Sequence, residues 1–302
     1  MSTSNDMAAS VRQQLLNRAR AQEEDFQVLL NRYVVERFLY RLSRSNQRDR
    51  FVVKGAMLFV LWEGDLHRTT RDLDLLGFGA NSVPELEQAV RQILQTDVEE
   101  DGVGFASETV RGERMGELRE YEGVRLTADA RVGAARIRLK MDVGFGDAIT
   151  PGAQEAKFPT LLNTSAPVLW VYPKETVIAE KVQAMVALGM LNSRMKDFLD
   201  LWHLARHDEF DGATVADAVR ATFARRRTSV PEATPMALTA EFAGDDGKRT
   251  QWQAFVRRGK LREEVSLDEV ITLLRLFLLP ILQSARSSDA VASRWRPGGP
   301  WK

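Results

Sequence analysis

Apolar positions recur at three- and four-residue spacing through Val11, Leu15, Leu16, Phe26, Leu29, Leu30, Tyr33, Val34, Phe38 and Leu39, which predicts helix over residues 8–44. The pattern then shortens. Phe51-Val52-Val53 reads as a buried strand ending at Lys54-Gly55, and Ala56 to Trp62 as a packed helix closed by Gly64. Asp72-Leu73-Asp74-Leu75-Leu76 alternates as a half-buried strand does. Val83, Leu86, Ala89, Val90, Ile93 and Leu94 mark an amphipathic helix over 83–97, with strand-like pieces around 105–112 and 121–128. The clearest strand is Ala135 to Phe145. Ile137, Leu139, Met141, Val143 and Phe145 share one face; Arg136, Arg138, Lys140, Asp142 and Gly144 share the other.

Beyond Pro173 the strand signal ends, and residues 174–190, 194–206, 213–226 and 266–286 all carry helical periodicity. The change predicts a boundary near 165–172, with an α/β domain over residues 1–168 and a helical domain over 169–302. Residues 227–247, rich in Thr, Pro, Gly and Asp, read as a long surface connection. Pro and Gly in the tail RWRPGGPWK predict an irregular, mobile end.

Composition narrows the function classes. The 302 residues are 44% hydrophobic and 28% charged, as in ordinary globular chains, which excludes disordered and fibrous classes. No Cys is present, so thiolate metal sites, disulfides and a cysteine nucleophile are excluded. No run reaches the eighteen or so apolar residues that span a bilayer; the longest, Ile271 to Leu282, is broken by Thr272, Arg275 and Pro280. The polar start MSTSNDMAASVRQQ lacks the apolar core of a secretory signal, which makes a cytoplasmic location the expectation. Lys+Arg and Asp+Glu balance at 42 each, so the chain is not a bulk polycation. Basic residues nevertheless cluster late: Arg225 to Arg227, then Arg257, Arg258, Lys260 and Arg262, then Arg294, Arg296 and Lys302. Such runs form either solvated faces or a surface for RNA phosphates.

The candidate chemistry lies in acidic residues. Asp72 and Asp74, two apart on a predicted strand, project from one face while Leu73 and Leu75 take the other. Either they form a solvated strand face, or a divalent cation relieves their repulsion, since Mg²⁺ takes carboxylates together with substrate phosphates. Asp142 adds a third carboxylate on the polar face of another strand, next but one to Lys140. Gly55, where a strand meets a helix, allows backbone N–H groups to approach phosphate. His203 and His207 stand one helical turn apart without a third ligand in view, and Trp202 beside them speaks for packing. Trp62 and Trp170 read as core residues rather than stacking platforms.

Four blocks in order resemble the AbiEii family of nucleotidyltransferase-like toxins: Lys54-Gly55-Ala56-Met57 followed by Arg68-Thr69-Thr70-Arg71-Asp72-Leu73-Asp74; Lys140-Met141-Asp142; Tyr172 to Lys181; and Arg194 to Leu201. These toxins belong to abortive-infection toxin–antitoxin pairs, within the DNA polymerase β-like nucleotidyltransferase superfamily. The resemblance implies an α+β fold: a polymerase β-like mixed sheet flanked by helices, followed by an α-helical C-terminal domain. It implies Asp72, Asp74 and Asp142 as ligands of Mg²⁺ or Mn²⁺, with Asp142 also the base for the incoming hydroxyl. It implies Gly55 at a phosphate-gripping turn, and Arg68, Thr70, Arg71, Lys140, Glu175 and Lys181 toward the NTP, with Asp197 orienting Lys181 or another cation. The implied reaction moves NMP from an NTP to an RNA, above all the tRNA 3′ end, blocking translation, with a cognate antitoxin as partner. Transfer to a protein acceptor and a non-catalytic NTP- or RNA-binding regulator are the alternatives. The chain departs from the superfamily pattern at Ala56, where Ser or Gly is usual, and in placing Gly55 17 residues before Asp72, farther than in many relatives. Thr69 or Thr70 is then the candidate source of the missing hydroxyl.

Overall fold

A computed structural model describes residues 2–64, 68, 70, 72–115, 123–259, 265–287 and 293–302. They form two compact units: Met1–Gly146 with Gln154–Val171, and Asp147–Ala153 with Tyr172–Lys302. The chain therefore crosses between units three times, and the strand just before Tyr172 belongs to the first unit rather than to the helical one.

The first unit is built on a seven-stranded mixed sheet in the order β3-β4-β5-β2-β1-β7-β6. Its strands are β1 (Phe51–Lys54), β2 (Leu73–Gly77), β3 (Gly104–Met115), β4 (Gly123–Val132), β5 (Ala135–Phe145), β6 (Gln154–Lys157) and β7 (Val168–Val171). β2 pairs antiparallel with β1 and parallel with β5, while β3, β4 and β5 form an antiparallel meander. The register places Val53, Leu75, Val143 and Val124 on one face, all buried. Against that face lie α1 (Ser2–Gln22), α2 (Phe26–Arg44) and α4 (Val83–Leu94). α3 (Met57–Glu63) follows β1 and ends at Gly64, whose φ of 79° suits a glycine C-cap.

The single helix expected over 8–44 is two. Asp25 caps α2 by accepting from the Gln27 and Val28 amides, and Glu23 takes a φ of 54°, so the chain turns where apolar spacing alone shows no break. α2 is buried along most of its length, charges included: Arg41 reaches Asp101 at 2.6 Å, and Glu36 accepts from Arg37 at 2.8 Å and from the Leu161 amide at 2.7 Å. Desolvation raises the Glu36 carboxyl, against the opposing pull of Arg37.

The second unit contains α5 (Lys174–Leu188), α6 (Met195–His207), α7 (Gly212–Arg225), α8 (Ala240–Gly244), α9 (Asp246–Gly259) and α10 (Leu267–Arg286), with a two-stranded ladder of β8 (Phe210–Asp211) and β9 (Arg294–Trp295). Residues 227–247 are thus only partly a connection, since they hold α8 and the start of α9. α9 escaped notice because its apolar positions are sparse: within it, only Lys248 and Trp252 are buried. α10 opens on a capping box, Ser266 with Glu269, and carries Pro280 inside. Among the described residues no helix is long and apolar enough to cross a membrane.

The tail corrects its sequence reading. Trp295 is fully buried, donates to the Ala205 carbonyl at 2.6 Å, and lies 4.8 Å from the Phe277 ring. Trp301 stacks on the same ring at an interplanar angle of 4° and donates to the Phe277 carbonyl. Gly299 (φ 80°) is required here, because a Cβ would stand 2.5 Å from the Trp295 ring. The glycines and prolines shape a turn that brings the half-buried Trp301 back beside Phe277 and the buried Trp295. Trp295→Ala is therefore expected to cost about 3–5 kcal/mol in urea unfolding, the range for an emptied aromatic site; a cost below about 1 kcal/mol would place the tail outside the core.

Candidate active site

The face of the first unit's sheet opposite Val53, Leu75, Val143 and Val124 carries a row of charges that the strand register sets side by side. Lys54 of β1 pairs with Asp74 of β2, Asp74 with Asp142 of β5, Asp142 with Arg125 of β4, and Arg125 with Glu113 of β3. Adjacent strands stand about 4.8 Å apart, so the side chains of such a row are neighbours. Asp72 stands just ahead of β2, close enough for its charge to act on Arg125. The register thus sets two of the predicted carboxylates, Asp74 and Asp142, side by side on neighbouring strands.

Their partners differ. Arg125 clasps Asp142 with two hydrogen bonds, Nε to Oδ1 at 2.8 Å and Nη2 to Oδ2 at 2.7 Å. That fork geometry is the strong form of an ion pair. The bonds to Asp142, its charge, and behind it the charges of Asp72 and Glu113 raise the Arg125 guanidinium above its ordinary pKa. Asp72 is the opposite case: its Oδ1 is buried and has no hydrogen-bond partner among the described residues. An unsatisfied buried oxygen costs about 1–3 kcal/mol, more when charged. A hard divalent cation would satisfy that oxygen and relieve its repulsion from Asp74, so this donor set fits Mg²⁺ or Mn²⁺. Among the described residues no group of three His, Cys, Asp or Glu side chains is placed to hold a metal. Asp142, expected as the third ligand, has both oxygens committed to Arg125.

Gly55 acquires a role its sequence context did not specify. Its φ is 74°, and a Cβ there would fall 2.1 Å from Oδ2 of Asp74. The missing side chain is the space that the Asp74 carboxylate occupies. Ala56 caps α3 without any side-chain hydrogen bond. The Thr70 hydroxyl donates to the Asp72 carbonyl at 3.2 Å, which steadies the turn into β2. Arg68 is buried, at 9% exposure, and Lys140 is exposed beside Thr127 in the register. Arg71, Thr69 and His67 lie outside the described residues.

In the second unit, Lys181 stands between two fully buried carboxylates, 2.8 Å from Asp197 Oδ1 and 2.7 Å from Asp200 Oδ2. Arg194 holds the other Asp197 oxygen at 2.5 Å. Burial opposes ionisation of Asp197, but Lys181 and Arg194 together hold its carboxyl below the usual range. Burial raises Glu175, in the first turn of α5. The His203 and His207 rings lie 4.3 Å apart, tilted by 34°. Trp170 is half-buried, donating to Asp49 at 2.9 Å with Arg48 over its ring, and Trp62 packs edge-on to Phe59. Within the late basic runs Arg226 is consumed internally by Asp147 and Glu180 at 3.3 and 3.4 Å, while Lys260 and Arg262 lie outside the described residues.

Arg125 and Lys54, which complete the charge row, were not singled out from sequence. The available signal was the alternation of the 121–128 segment, but only the register of β4 on β5 turns Arg125 into the partner of Asp142. Because Asp74 fills the space at Gly55, Gly55→Ala combines left-handed strain with a clash; a loss of at least about 2 kcal/mol in urea unfolding is expected, against the few tenths of a tolerated surface change. A stability equal to wild type would contradict this packing.

Two solved structures share the fold. A Helicobacter pylori chain described as a nucleotidyltransferase aligns with a TM-score of 0.52 at 15% identity, covering 88% of this chain and 99% of its own. JHP933 from Helicobacter pylori aligns with a TM-score of 0.51 at 14% identity, covering 87% of this chain and 94% of its own. No curated protein matches the sequence. The sequence matches the family described as nucleotidyl transferase AbiEii toxin, type IV toxin–antitoxin system, over residues 37–272. The chain therefore belongs to the AbiEii nucleotidyltransferase toxin family, whose systems pair a toxin with an antitoxin.

Proposed function

We propose that the chain transfers NMP from an NTP to the 3′ hydroxyl of an RNA, with tRNA as the acceptor class and loss of translation as the result. The single observation that carries this reading is the unpartnered Asp72 oxygen, two residues ahead of Asp74, which itself pairs with Asp142. In the reaction the acceptor oxygen bonds to the α-phosphorus, the bridge to the β-phosphate breaks, pyrophosphate leaves, and the acceptor proton passes to a carboxylate. Asp142 is the proposed receiver of that proton. Asp72 and Asp74 would hold Mg²⁺ or Mn²⁺, which supplies charge stabilisation at the phosphoryl oxygens when bound. Arg125 orients Asp142 and keeps a cation within reach of the charge that develops on transfer. Lys181, oriented by Asp197, and Glu175, Arg68, Thr70, Arg71 and Lys140 are proposed on the NTP side.

A second reading, nucleotide or RNA binding without turnover, draws support from Ala56, where no hydroxyl is available at the start of α3. Transfer to a protein side chain uses the same carboxylates. Purified protein incubated with α- or γ-labelled NTPs, Mg²⁺ and total tRNA separates these readings. The expectation is α-label on tRNA and a fall of at least about a thousandfold in Asp72→Ala and Asp142→Ala. Undiminished labelling in both variants would reject the assigned site; γ-label on protein would favour phosphoryl transfer; binding without pyrophosphate release would favour the regulator.

A further inference from the structure

We infer that the uncovered face of β3, β4 and β5 is the track on which an acceptor RNA strand lies, a proposal that rests on the transfer reading above. The helices of the first unit cover the opposite face, where Ile137, Leu139, Leu126 and Ala128 are buried. On the uncovered face the register sets Arg111 beside Thr127 and Lys140, then Asp129 beside Arg138, then Arg131 beside Arg136. Arg111, Arg131, Arg136, Arg138 and Lys140 are all exposed, and Asp129 is the one acidic side chain in these three rows. It is already bound to Arg138 at 3.2 Å.

Two features point to an external anion. Arg131 and Arg136 stand directly opposite one another, and like charges in that position destabilise a sheet. The cations on β5 recur every second residue, about 6.8 Å apart, in a line that ends at Asp142. A polyanion with regularly repeated charges matches such a line, and guanidinium forks suit phosphate. The edge is low as well: Ala106 flanks Asp129, Gly104 flanks Arg131, and nothing lies within 4 Å of a Cβ built at Gly104. A backbone can approach the sheet there. Arg136 is about 20 Å along the strand from Asp142, so an RNA bound through Arg131 and Arg136 runs toward the carboxylates and presents its end to them.

The test uses the full chain and fluorescently end-labelled total tRNA, with anisotropy read across a salt series. Arg131→Glu with Arg136→Glu is expected to weaken binding at least tenfold and to reduce the log–log salt slope by about two. The same charge change at Arg20 and Arg44, on the helical side, leaves affinity within twofold. The milder pair Arg131→Gln with Arg136→Gln also weakens binding, yet unfolds no earlier than wild type because the like-charge pair is gone. Wild-type affinity in both sheet pairs, equal losses in the Arg20 and Arg44 control, or capture of polyglutamate in place of tRNA would overturn the track. Tight, sheet-dependent tRNA binding without label transfer would keep the track and reject the transfer reading; transfer with unchanged KM in the Gln pair would do the reverse.

Discussion

Carboxylates forced into one row repel each other unless positive charge stands among them. This sheet sets Asp74 and Asp142 on neighbouring strands, with Asp72 two residues from the first. It supplies Lys54 beside Asp74 and Arg125 beside Asp142. The compensation is uneven. Asp142 is fully engaged by a guanidinium fork, whereas one oxygen of Asp72 is buried with nothing among the described residues to accept from. A folded chain tolerates such an oxygen when a ligand removes the cost, and the whole functional account depends on that asymmetry.

Backbone choices serve the same row. Gly55 turns through a positive φ and leaves out the side chain that would displace Asp74. β2 lies between β1 and β5, so carboxylates about 70 residues apart in the chain share one face. In the second unit the same principle takes a closed form. Asp197 and Asp200 are fully buried around Lys181, with Arg194 completing the pair count on Asp197. Breaking such a set from one side leaves an uncompensated buried charge, which is costlier than the set itself is stabilising.

The sequence was most informative where one residue's neighbours lie close in the chain. The alternation of Ala135 to Phe145 identified a strand with a polar face, and the two-residue spacing of Asp72 and Asp74 put them together without knowledge of the fold. It was silent where meaning comes from pairing. Arg125 is one of many arginines until β4 is registered on β5. The break between α1 and α2 depends on an Asp25 cap that apolar spacing does not display. In the tail, Gly and Pro signal irregularity by composition alone, whereas Gly298 and Gly299 make the turn that brings Trp301 back to Phe277. α9 was missed because a helix with two buried residues carries little periodic signal.

The most direct test of the central claim is a Mn²⁺ binding isotherm on the intact protein, compared with Asp72→Asn and Arg125→Ala. One site is expected in wild type. Asp72→Asn should weaken it by about tenfold or more, and Arg125→Ala should strengthen it, since a competing cation beside the carboxylates has been removed. Absence of saturable Mn²⁺ binding in the wild-type protein, or identical affinity in Asp72→Asn, would contradict the account.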